Sequence, residues 1–211
     1  MDTPTLPEYL DTLQQRERAA RHPVFTPLVI HTVALAVVFA LEAINQVRLA
    51  AETRTEWEAS GWDVISSEPS LLMPLLPLVV YLALWGVARV RRWRTGVGAG
   101  RDGWGIMAIV AAVVILGLPV TWVALAFLGA VFFLGLGLAV IGVTMRERLL
   151  WAWGVLLMVV GPMANLFTID NHAAFLGPWP TAVVLGLVTA GLGATSVFVW
   201  VRDRRVLAVT S

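Results

Sequence analysis

The chain has 211 residues, of which 58% are hydrophobic and 14% charged, with a mean hydropathy of +0.79 and a net charge of +1. A soluble domain carries about 25% charged residues, so this composition excludes an ordinary soluble fold and suits one compact membrane domain. There is no cysteine, and all 15 basic residues are arginine, which excludes disulfides, thiolate metal sites and a lysine Schiff base.

Residues 1–23 hold four acids and three arginines, unlike the short basic start of a signal peptide. Thr5-Leu6-Pro7-Glu8 reads as a capping box, after which Leu6, Tyr9, Leu10 and Leu13 share one helical face and Pro23 ends the helix. The segment is expected to be a cytoplasmic amphipathic helix, lying on the membrane surface or docking a partner. The first span is expected over 24–47, continuing as a polar helix past Glu52 and Glu56. An acidic loop follows, and the second span is expected over 70–90, with Pro74 and Pro77 near its start. Arg89, Arg91, Arg92 and Arg94 then form a cluster suited to anionic lipid or a protein partner.

Residues 103–145 contain no charge. As one helix they would run about 64 Å, twice the ~30 Å apolar core of a bilayer. Gly117-Leu118-Pro119 supplies a break, because proline cannot extend the helix before it. Two spans are therefore expected, 104–118 and 121–145, followed by a fifth over 149–168 and a sixth over 181–201, with 202–211 as a cytoplasmic tail. Gly161-Pro162 is the expected kink in the fifth. Alternate connecting segments hold three, five, two and three arginines, leaving only Arg48 and Arg54 on the other side. The positive-inside rule then places both termini in the cytoplasm, and a bacterial plasma membrane is the expected location. The fold expected is all-α: a multi-pass bundle of six transmembrane helices with an N-terminal amphipathic helix.

Candidate functional residues are few. Glu42 lies inside the first span, with His31 three helical turns earlier on the same side and Asn45 one turn later. An intramembrane acid is costly, so Glu42, His31 and Asn45 mark a candidate proton or ion site. The plainer reading hydrates Glu42 at one interface and leaves His31 near the other, with Asn45 satisfying the carboxylate locally. Asp170 and His172 share a short outer loop and, with Asp63 or Glu68, have ligand chemistry for a divalent metal. Nothing fixes their spacing, and no metal or cofactor is expected. Small residues at four-residue spacing, Ala126 and Ala130 in the fourth span and Gly186, Ala190 and Ala194 in the sixth, are expected to pack helices closely.

The chain carries no Gly-x-Ser-x-Gly, His-Glu-x-x-His or Ser-x-x-Lys, so no catalytic residue is expected. Its expected partners are the lipid bilayer and a cytoplasmic or membrane protein, and nothing suggests nucleic acid. In outline, six spans with an N-terminal helix and an Arg-rich first cytoplasmic loop resemble the permease half of ABC-type exporters, without any shared motif. The resemblance implies a small transporter or permease subunit working through kinked spans two and five. The other reading is an accessory, scaffold or sensor component of a membrane complex.

Overall fold

The computed structural model describes residues 24–56, 72–95, 119–166, 168–176 and 179–208. Five long helices account for most of them: α1 (Phe25–Glu56), α2 (Leu72–Thr95), α3 (Pro119–Met145), α4 (Arg148–Asn165) and α6 (Pro180–Ala208). A five-residue helix, α5 (Thr168–His172), and a 3-10 turn at Ala174–Leu176 join α4 to α6. The described residues contain no strand. Four segments are long and apolar enough to cross a membrane: Phe25–Arg48, Phe127–Met145, Arg148–Asn165 and Pro180–Arg205. Leu75–Val90 in α2 is apolar but shorter. The expected amphipathic helix over 1–23 and the expected span over 104–118 lie outside the described residues, as does the acidic loop with Asp63 and Glu68.

The helix boundaries follow from residue chemistry. α3 starts at Pro119, where a missing N–H costs nothing because the first turn has no acceptor for it. α1 continues well past its apolar part to Glu56. Between α3 and α4 the chain turns on two residues. The Arg146 N–H donates to the Val143 carbonyl at 3.1 Å and the Glu147 N–H to the Gly142 carbonyl at 2.8 Å. This is a Schellman closure, with Arg146 in the left-handed position (φ 57°) that glycine usually fills.

α3 and α4 form the most extensive helix pair, and α1 with α6 the next. The α3–α4 seam is built on glycine. A Cβ at Gly135 would lie 2.7 Å from the Gly154 carbonyl oxygen, and one at Gly161 would lie 2.5 Å from the Phe132 nitrogen. At Gly142 a Cβ would strike the Trp151 backbone, and at Gly154 the Ala139 backbone. The contacting positions sum to about 293 along the whole pair, so the two helices run antiparallel in one fixed register. Gly135 and Gly142 on α3, and Gly154 and Gly161 on α4, repeat every seven residues and keep the contact on one stripe.

Proline-162 lies inside α4 three residues before its end, and the Leu166 N–H still reaches its carbonyl at 2.9 Å. The non-helical residue in the hairpin is instead Gly129 in α3 (φ 73°, ψ 163°). Its α-hydrogen side faces Asn165, whose side chain would meet any Cβ there at 3.2 Å. The break therefore sits where the end of α4 crosses α3.

The core lies where the helices meet and is mainly leucine: Leu28, Leu35, Leu134, Leu138, Leu157 and Leu192 are fully buried. Large apolar side chains also cover the outside. Val33, Val37 and Ile44 on α1, and Leu187, Val197 and Phe198 on α6, are exposed. In water such a surface would drive aggregation, but against lipid chains it is neutral.

Candidate functional site

His31 is the most deeply buried polar residue of the intramembrane candidates, with no exposed surface. It faces inward because Leu28 and Leu35, one turn to either side, face inward too. Its Nδ1 lies 2.7 Å from the Pro27 carbonyl. A carbonyl only accepts, so Nδ1 carries a proton. Nε2 has no hydrogen-bond partner of normal geometry, although the Leu134 backbone lies alongside.

The next residue ties α1 to α6. Thr32 Oγ1 donates to the Leu28 carbonyl at 2.8 Å, and Ser196 Oγ donates to the Leu192 carbonyl at 2.9 Å. The two hydroxyls are 3.3 Å apart. Three contacts share two protons, so one hydroxyl bonds the other helix only by releasing its own carbonyl. Gly193 lets Thr32 approach, its missing Cβ lying 3.4 Å from the threonine methyl.

Glu42 is half-buried, and its Oε1 accepts from Gln46 Nε2 at 2.9 Å. The local partner is therefore Gln46, four residues on, rather than the nearer Asn45, which is also half-buried. Leu35 and Val38, both buried, occupy the face between His31 and Glu42. The structure does not bring the two ionisable groups together, and they stay about 16 Å apart along α1.

Tyr81 was not among the expected site residues. It is buried on α2, its hydroxyl donates to the Phe133 carbonyl of α3, and its ring packs on Gly137, where any Cβ would overlap it. His31 and Tyr81 thus reach the same turn of α3 from two different helices. A lone tyrosine in an apolar helix and a glycine in the facing one were the available signals.

The loop pair Asp170 and His172 is engaged in structure. Asp170 Oδ1 accepts from the Thr181 N–H at 3.2 Å and from Thr181 Oγ1 at 2.9 Å, closing the first turn of α6. His172 Nδ1 lies 3.0 Å from the Thr168 carbonyl. Among the described residues, no three His, Asp or Glu side chains gather as metal ligands.

Of the small residues, Ala130 is buried in α3, and Gly186 lies against the Phe39 ring, which a Cβ there would meet at 3.2 Å. Ala190 and Ala194 are exposed, and α6 turns Leu185, Leu192, Ser196 and Val199 inward. The side chain of Ala126 lies outside the described residues, as do those of Arg91, Arg92 and Arg94. Arg89 is exposed and stacks over Trp93 at 5.4 Å.

Asp203, another residue the sequence did not single out, is only 7% exposed although charged. The pairing of Phe39 with Gly186 and of Thr32 with Ser196 fixes an antiparallel register between α1 and α6. That register carries Asp203 to the level of Val24 and Phe25, at the start of α1. A carboxylate is stabilised there by the positive end of the helix dipole.

No known protein family, curated protein or solved structure matches this chain.

Proposed function

We propose that the chain is a non-enzymatic, multi-pass protein of the plasma membrane, acting as an accessory or scaffold component of a membrane complex. The observation that carries this reading is the glycine seam. α3 and α4 meet backbone to backbone along their length, and leucine fills the space between helices. Such a core holds one arrangement and leaves the outer faces of the helices as the surfaces offered to other molecules. On this reading both termini are cytoplasmic, and Arg89 with its neighbours contacts lipid headgroups or a cytoplasmic partner.

The test is photo-crosslinking in native membranes, with a photoreactive residue placed in turn at Leu187, Val197 and Phe198. A scaffold gives a discrete protein adduct from at least one position. Lipid adducts alone from every position, in full-length protein that also conducts ions in proteoliposomes, would reject it.

A second reading, a small transporter, is favoured by one specific observation: the Nε2 atom of His31 is buried without a hydrogen-bond partner. A bare imidazole nitrogen among leucines accepts a proton or coordinates a cation. Pro77, fully buried, lies inside α2, next to it in the bundle. Loss of pH-dependent flux in His31→Gln, with the protein still folded, would support this reading, and flux unchanged in that variant would remove it.

A further inference from the structure

The turn between α3 and α4 carries a shallow cleft of about 280 Å³ lined by Gly142, Val143, Arg146, Glu147, Arg148 and Trp151. We propose that this cleft binds the headgroup of an anionic phospholipid, with its phosphodiester between Arg146 and Arg148 and its acyl chains along α3. The inference is independent of whether the protein is a scaffold or a transporter.

Position is the first argument. The cleft falls where the apolar segments Phe127–Met145 and Arg148–Asn165 both end, which is the level of a lipid headgroup rather than of bulk water or of the acyl core. Charge is the second. Two arginines and one glutamate line the cleft, so its side chains carry a net positive charge. Among the described residues neither the Arg146 nor the Arg148 side chain makes an ion pair or a hydrogen bond, so their guanidinium donors are available to a phosphodiester. Both are exposed.

The third argument is continuity. Leu136, Val140 and Val143 are exposed and stand on one face of α3, at i, i+4 and i+7. That stripe runs into the cleft at Val143. Trp151, half-exposed on the opposite wall, has the amphipathic ring that settles at headgroup depth. Gly142 has no side chain, so the Trp151 backbone packs directly on α3 and brings the tryptophan to the cleft. A soluble phosphate would use the arginines alone, whereas a phospholipid uses the arginines, the tryptophan and the stripe together.

The experiment is a lipid titration of the full chain in mild detergent, followed by native mass spectrometry. Dioleoyl phosphatidylglycerol is compared with dioleoyl phosphatidylcholine. The wild type is expected to retain one phosphatidylglycerol in preference to phosphatidylcholine. Arg146→Gly with Arg148→Gln should weaken phosphatidylglycerol about 25-fold, about fivefold for each arginine, and leave phosphatidylcholine unchanged. Glycine suits the left-handed backbone at 146, so the turn survives that exchange. Glu147→Gln should tighten phosphatidylglycerol, and Arg202→Gln with Arg204→Gln should not change it. Equal retention of the two lipids, or full retention by the double arginine variant, overturns the proposal. So does displacement of the lipid by millimolar inorganic phosphate, which would make the cleft a general anion site. Were the double variant to unfold, Glu147→Gln decides alone, and the absence of any gain overturns the proposal.

Discussion

At the scale of single residues, polar side chains in this bundle act through backbone carbonyls. Thr32, Thr144, Thr189, Thr195 and Ser196 all donate to the carbonyl four residues earlier on their own helix. This hides the hydroxyl from lipid and explains how a span tolerates it. Tyr81 differs because its bond to the Phe133 carbonyl crosses between helices. Tyr81→Phe keeps the ring on Gly137 and removes only that bond, so it should cost about 1 kcal/mol in detergent unfolding. Gly137→Ala attacks the same contact sterically and should cost more, about 1–3 kcal/mol. Asp203→Asn keeps the shape and removes the charge near the start of α1. A loss of about 0.5–2 kcal/mol is expected, measured by the same unfolding assay, and an unchanged midpoint would show that the carboxylate does not serve that helix end.

At the scale of elements, the hairpin of α3 and α4 shows which features a sequence discloses. Pro119 announced a helix start and Arg146-Glu147-Arg148 a turn, because proline geometry and a charged triplet between apolar runs are local signals. The seam was harder to read. Gly154 and Gly161 repeat at seven residues and lie in a helix that also holds tryptophans. Which face of α4 meets α3 is a tertiary fact. In α6 the row Gly186, Ala190, Ala194 is regular in sequence, yet only its first member faces α1. The Gly129 break had no signal at all, since glycine is common in membrane helices and only its contact with Asn165 sets it apart. The seam makes a sharp prediction. Gly154→Leu must push the Ala139 backbone away along the whole register and should cost about 3 kcal/mol or more, enough to lower the yield of folded protein. Gly86→Leu, at a glycine with nothing within 4 Å, should leave stability within about 0.5 kcal/mol of wild type. Equal loss in both variants, read by thermal unfolding in detergent, would mean that the glycines do not seat one helix on the other.

At the scale of the whole molecule, the absence of cysteine makes the topology directly measurable, since every introduced thiol is the only one present. α4 separates Glu147 at one end from Ala173 beyond the other, and 18 residues of helix span about 27 Å, close to the apolar thickness of a bilayer. Thr121 lies at the far end of α3 from Glu147. Antiparallel packing of α3 on α4 therefore sets Thr121 and Ala173 on one side and Glu147 on the other. The arginine distribution adds the direction: Arg146 and Arg148 flank Glu147, so that end should be cytoplasmic. In intact cells, a membrane-impermeant maleimide is expected to label Thr121→Cys and Ala173→Cys, and to label Glu147→Cys only after the membrane is opened. Labelling of all three from one side would mean that the hairpin does not cross the bilayer. Labelling of Glu147→Cys alone from outside would keep the hairpin and invert it, placing the Arg146 and Arg148 cleft in the outer leaflet.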